Sequence, residues 1–287
     1  MKCFPFISQR IQTVLCLSTV LLAFTACGGN DDEFVDPDDA QQSVTIRLNN
    51  EAGGIATLSG TMVGTYILGD NGATALAVKT DNNGNIVLPS STQDRDVLVY
   101  CPWQSTWTDG IVPTEALFNV ESDQSMAAGY QASDLMMGHR SAGASTVVMR
   151  HLLARVVVHV VDETGTMDFS HGATTLRQVH GSVTIDVARQ QLVTTDSRTD
   201  VQMYSYAITD RRMSTEAVVA PQTIAAGTSL VAIRLYGTLH TCAVNEQSEL
   251  TAGSTLTISY RLTESGLIMD GSTLSDWEDD GGRTLVI

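Results

Sequence analysis

Positive charge is scarce in this chain of 287 residues: 16 Lys and Arg stand against 32 Asp and Glu, a net charge of −16. No basic cluster occurs anywhere, which removes electrostatic attraction to nucleic acid or anionic lipid as a basis for function. Catalytic signatures are missing too: there is no G-x-S-x-G elbow, no G-x-x-x-x-G-K-[ST] loop and no H-E-x-x-H pair. The six histidines are scattered. His151 and His159 lie about 26 Å apart along one strand, too far to share a metal, and read as outward-facing positions. "TDNNGNI" and "DWEDDGG" crowd oxygen atoms together, but neither has calcium-loop spacing, because Gly84 follows Asp81 too early. No enzymatic activity, metal or cofactor is expected. No apolar run reaches the roughly 20 residues of a membrane-spanning helix.

What is present begins at the N-terminus. Lys2 and Arg10 precede the apolar run Val14–Phe24, and small Thr25 and Ala26 then lead to Cys27. That is the layout of a secretory signal peptide. "FTAC" resembles a lipobox, which predicts cleavage before Cys27 and lipidation of its thiol. Residues 1–26 are thus read as a lipoprotein signal peptide and 27–42, "CGGNDDEFVDPDDAQQ", as an acidic flexible tether. Removing Lys2 and Arg10 leaves 14 basic side chains against 32 acidic ones, a net charge of −18. The acidic patch after the lipid cysteine resembles a surface-export signal of lipoproteins in certain Gram-negative anaerobes, and a plain spacer would have the same composition. Cys3 and Cys16 leave with the signal, so Cys101 and Cys242 remain, as two buried thiols or as one disulfide.

The rest reads as strands. "VTIRLN" alternates, with Val44, Ile46 and Leu48 on one face. "ALAVKT" and "NIVLP" flank the Asn-Gly turn signal "DNNG". In "TVVMRHLLARVVVHVVDETG", period two puts Leu152, Ala154, Val156, Val158 and Val160 on one face and His151, Arg155 and His159 on the other. "GSVTIDV", "SLVAIRLYG" and "TLTISYRLTESG" repeat the pattern, the last with Leu256, Ile258, Tyr260 and Leu262 together. "PTEALFNV" is read as one or two helical turns with Pro113 at their start, and 195–212 as a long polar loop. Many short strands with Gly, Asn and Asp turns predict an all-β chain of two tandem β-sandwich domains, 43–167 and 168–287. Trp103 and Trp107 in "CPWQSTWTDG" are the candidate ligand contacts, since exposed aromatics stack on sugars or anchor partners. As loop residues they would instead cover the end of a sandwich.

Several segments, in order, resemble the fimbrillin family, the lipoprotein pilins of type V pili. They are "DVLVYCPW" (a Y-x-P-[YW] strand end), "ASDLMMG" (S-D-L-M), the His151, Leu153, Ala154, Arg155, Val156, Val158 strand, and the closing "SDWEDDGG" with Asp276 and Trp277. The resemblance implies transthyretin-like sandwich topology and a surface-exposed outer-membrane lipoprotein in a fimbrium. It also implies partners that are other pilin subunits, joined by strand exchange after a protease cuts near the first strand. Arg47, the one basic residue between Cys27 and Lys79, is the candidate cut; it would equally serve as an ordinary outward strand residue. Arg283, Thr284, Leu285, Val286 and Ile287 are the candidate donor strand, or else a closing strand of the second domain. The competing expectation is a surface lipoprotein that binds host glycan or protein without polymerising.

Overall fold

The computed structural model describes residues 43–51, 58–108, 110–209 and 211–278. The signal peptide, the tether, Cys27 and the candidate donor strand 283–287 lie outside the described residues. In the first half the strands are β1 (Ser43–Asn49), β2 (Met62–Gly69), β3 (Gly72–Lys79), β4 (Asn85–Pro89), β5 (Val97–Cys101), β6 (Ala116–Asn119), β7 (Met136–Arg140), β8 (Thr146–Val148) and β9 (Arg150–His151). The one α-helix among the described residues, α1 (Ala127–Ser133), precedes β7. The second half holds β10 (Ala154–Asp162), β11 (Ala173–His180), β12 (Ser182–Asp186), β13 (Gln191–Thr194), β14 (Arg198–Gln202), β15 (Tyr204–Thr209) and β16 (Arg212–Val219). It closes with β17 (Gln222–Ile224), β18 (Val231–Leu235), β19 (Thr238–Cys242), β20 (Ser248–Leu250), β21 (Ser254–Thr263) and β22 (Gly266–Asp276).

The chain is all-β and builds two tandem sandwiches. In the first, sheet β4-β1-β8 faces sheet β3-β2-β5-β7-β9. Ile46, Leu48, Ile86, Leu88 and Val147 from one sheet pack against Val63, Val97, Val99 and Met136 from the other. These are the alternate residues of each strand, as a pleated sheet with one buried face requires. In the second, sheet β15-β16-β10-β21-β22 faces β14-β11-β18-β19. Val156, Val158, Val160, Leu256, Ile258 and Tyr260 turn inward toward Leu176, Val201, Val231 and Ile233.

β10 lies mid-sheet. It pairs antiparallel with β16 and parallel with β21, Arg155 opposite Thr255 through Asp162 opposite Leu262. A boundary at residues 167/168 would therefore separate β10 from both its partners. Apart from β6, which joins a sheet of the second half, the hydrogen-bonded sheets divide earlier, at Leu152 and Leu153, where the chain leaves β9 and enters β10. The expected single long strand is accordingly two, and His151 is not outward: it is buried, paired with Met136 on β7.

Two other expectations change. "PTEALFNV" contains β6, not helical turns: Ala116 and Phe118 are buried while Leu117 and Asn119 are exposed, a period of two. β6 pairs with β12 of the second half, Ser182 opposite Asn119. The stretch 195–212 contains β14 and β15 rather than a long loop. "DNNG" is a turn, as read, and it carries the chain from one sheet to the other, since β3 pairs with β2 and β4 with β1. There the Asp81 carboxylate accepts bonds from the N–H groups of Asn83 and Asn85, both at 2.8 Å.

The outer face of the first sandwich is also covered. Gly64 lies opposite Tyr100, and a Cβ there would sit 2.0 Å from the Tyr100 ring. Glycine is thus needed for close approach, with the ring filling the space that a side chain would take. Gly64→Ala should lower stability by about 1–3 kcal/mol through overpacking. Urea unfolding checks this, and an unchanged midpoint would show that the Tyr100 ring has room to move.

Candidate functional site

β1 is the middle strand of a three-stranded sheet. It pairs antiparallel with β4, from Ser43 opposite Pro89 to Arg47 opposite Asn85, and parallel with β8. Ile46 and Leu48 are fully buried and Val44 is half-buried against the same core. Arg47 points outward and is exposed in the middle of the strand, its N–H bonded to the Ser145 carbonyl at 2.9 Å. Backbone and side chains together make β1 a plug: three apolar knobs in the core, with ladder bonds on both edges.

The two tryptophans offered as ligand contacts occupy different settings. Trp107 is only 3% exposed and forms the middle of an aromatic stack. Its centroid lies 5.0 Å from Tyr100 and 6.5 Å from Phe118, and its carbonyl accepts the Tyr66 hydroxyl. That stack joins the outer face of β2 and β5 to β6, so Trp107 is core and offers no face to a ligand. Trp103 is half-buried and packs against the same cluster.

The segments that carry the family resemblance converge at the passage between the sandwiches. α1 ends into Asp134, whose carboxylate Oδ1 lies 2.7 Å from His151 Nδ1. The His151 ring stacks flat on Trp277, with centroids 3.9 Å apart and planes 6° apart. Arg155 places its guanidinium 5.3 Å from the Trp277 ring and 3.8 Å from the Glu216 carboxylate. The Trp277 backbone N–H donates to the Gly253 carbonyl at 2.6 Å, and the Gly253 N–H donates to the Leu153 carbonyl at 2.8 Å. Burial first, then the charges of Glu216 and Asp134, push the neighbouring Tyr130 phenol well above its ordinary value. The Y-x-P segment arrives here as well: burial, with a smaller contribution from Asp134, pushes the Cys101 thiol up to about 12. Period-two reading had missed this cluster, because it takes side chains from four distant segments. Only the ordered motifs pointed to it.

Beside Trp277 opens a cleft of about 790 Å³ between the end of β1 (Asn50, Glu51), Arg150 and the end of β22 (Asp276, Glu278). Glu51 and Arg150 form an ion pair across part of it at 3.1 Å. No group of three or more His, Cys, Asp or Glu suited to a metal occurs among the described residues. Cys101 and Cys242 are both free thiols, the first buried and the second half-buried.

The geometry defines a fold of two tandem β-sandwiches whose first strand lies mid-sheet. The fimbrillin-like family model matches residues 44–277, and the chain belongs to that family. It is a family of structural, non-enzymatic proteins. Among solved structures, a putative cell adhesion protein from Bacteroides uniformis shares the fold. It has a TM-score of 0.62 and 17% identity over 85% of this chain and 100% of that one. A second, from Bacteroides ovatus, gives 0.61 and 12% over 83% and 99%. A third, from Bacteroides thetaiotaomicron, gives 0.51 and 16% over 82% and 98%. The search of curated proteins found no match.

Two outcomes follow for the junction. Trp277→Ala should cost about 3–5 kcal/mol in urea unfolding, the usual range for a buried tryptophan. In the same background His151→Ala should cost less than it does alone, by a coupling of about 0.5–3 kcal/mol; additive losses would mean that the stack contributes nothing. In native protein, iodoacetamide should modify Cys242 well before Cys101, whose thiolate is scarce at neutral pH; mass spectrometry of the alkylated peptides reads the order.

Proposed function

We propose that this protein is a structural subunit of a fimbria on the bacterial outer surface, anchored at first through lipid on Cys27 and assembled by strand exchange. A protease cuts after Arg47 and releases Ser43–Arg47 with the tether and lipid. The slot between β4 and β8 then takes the C-terminal strand of the next subunit, Arg283–Ile287. The single observation that carries this reading is the placement of β1. It is a central strand whose inward side chains complete the core, with one exposed arginine at its midpoint.

Physically the exchange is strand addition: main-chain bonds along two edges give strength, and alternate side chains in core pockets give register. Leu285 and Ile287 have the spacing to occupy two neighbouring inward positions, as Val44 and Ile46, the pair lost with the cut, do now. Family membership supports the fimbrial class, and the lipobox sequence supports the membrane tether.

The alternative, a solitary lipoprotein binding glycan or protein through Trp103 and Trp107, loses Trp107 to the core. The test is a denaturing gel of the surface fraction from a Gram-negative anaerobic host, run without boiling. The wild type should give a ladder that collapses to one band on boiling, with Leu48 as its N-terminal residue. Arg47→Ala should keep the lipidated N-terminus, and deletion of Arg283–Ile287 should abolish the ladder while leaving the melting temperature unchanged. A single unboiled band for the wild type, or an Arg47→Ala chain cut as before, would sink the respective step.

A further inference from the structure

At the end of the second sandwich remote from Trp277, β10, β18 and β21 all finish and their turns gather. Two of these turns wall a cleft of about 530 Å³, within the roughly 300–1,000 Å³ usual for small-ligand sites. One wall is the turn after β10, with Thr164, Thr166 and Met167. The other is the β21–β22 hairpin, Leu262 to Gly266, and His240 of β19 closes the side.

Both walls are braced from within. The buried Asp162 carboxylate accepts the Thr164 N–H at 2.9 Å, the Thr164 hydroxyl at 2.7 Å and the Met167 N–H at 3.0 Å. Burial pushes this carboxyl up, but those bonds together outweigh burial and hold it below the ordinary carboxylate value. Thr164 and Thr166 are linked hydroxyl to hydroxyl at 2.7 Å, and so are Thr263 and Ser265 at 2.9 Å. Behind the hairpin, Arg261 ties Glu163 to Asp270.

Two polar side chains in the cleft stand apart from this bracing. Glu264 and His240 have no side-chain hydrogen bond or ion pair among the described residues, although every hydroxyl around them is engaged. We propose that this cleft is a binding site for a neutral sugar. A carboxylate accepts two O–H donors at once, a neutral imidazole offers one donor and one acceptor, and the braced hydroxyls keep spare lone pairs. Adjacent hydroxyls on a pyranose match that set, and half-buried Met167 and buried Leu262 in the lining offer its C–H face apolar contact. An acidic sugar is disfavoured by Glu264 in the wall, while Arg261 behind the hairpin is already engaged by Glu163 and Asp270, and the Arg211 guanidinium lies against Gly165, outside the residues that line the cleft.

The inference does not depend on strand exchange. The test is saturation-transfer NMR and calorimetry on the full chain, with glucose, galactose, mannose and N-acetylglucosamine as probes. N-acetylneuraminic acid serves as the acidic control and free arginine as the cationic one. At least one neutral sugar should bind, with a Kd on the order of 1 mM, as a small site of few hydrogen bonds allows. Glu264→Gln and His240→Ala should each weaken it by about tenfold, one lost hydrogen bond to a charged or polar group, with unchanged melting temperature. Absence of binding by all four neutral sugars overturns the proposal. So does binding that neither variant alters, or binding of arginine or N-acetylneuraminic acid alone.

Discussion

The second half of the molecule depends on the parallel pairing of β10 with β21. The two strands are 100 residues apart in sequence, and both are buried on the inner face. Neither can complete a core alone: β10 brings Val156, Val158 and Val160, and β21 brings Leu256, Ile258 and Tyr260. Everything between them must leave the sheet and return. Part of it forms β16 on the other side of β10, and most of the rest forms the opposing sheet. β22 then follows β21 as a hairpin and is the last strand in the order of the sheet, at its edge. Such long-range pairing carries a large loop-closure cost before any burial offsets it.

That order explains the junction. β22 delivers Trp277 to the place where β9 hands over to β10, and the ring enters between His151 and Arg155. A flat stack on one side and a guanidinium on the other suit an indole, which presents a negative face to a cation. The polar groups buried here are paired, His151 with Asp134 and Glu216 with Arg155, as burial of such groups requires. The link between the sandwiches is therefore held by side chains from segments far apart in the chain.

Much of this was legible in the residues and some was not. Alternation located β1, β12 and β21 with the correct inward faces, because each has one wet and one dry face. It failed where the dry face changes partner. Across Leu152 and Leu153 the apolar run is unbroken, yet the backbone passes from one sheet to another, and composition carries no mark of that step. "PTEALFNV" was misread because Pro113 and Glu115 imitate a helix start, while the deciding fact is a pairing with β12, some 65 residues away. Trp107 looked like a loop aromatic because its neighbours are Ser, Thr and Gly; its burial comes from Tyr66, Tyr100 and Phe118, none of them adjacent in sequence.

The placement of β1 carries its own energetic consequence. Ile46 and Leu48, fully buried, represent about 1.5–3 kcal/mol each, and the half-buried Val44 adds less. The strand also satisfies ladder groups on β4 and β8 that would otherwise face an open core. Loss of residues 43–47 would remove two of those three side chains and all of the pairing with β4, a large share of the 5–15 kcal/mol that a domain commonly has in total. A first sandwich so emptied would be short-lived unless another strand of matching alternation filled the slot. The same sum makes the filled slot hard to leave, since departure of the new strand would restore the full deficit. The strength of such a junction would then come from the instability of its unfilled state, so the same contacts that complete the fold would hold the polymer together.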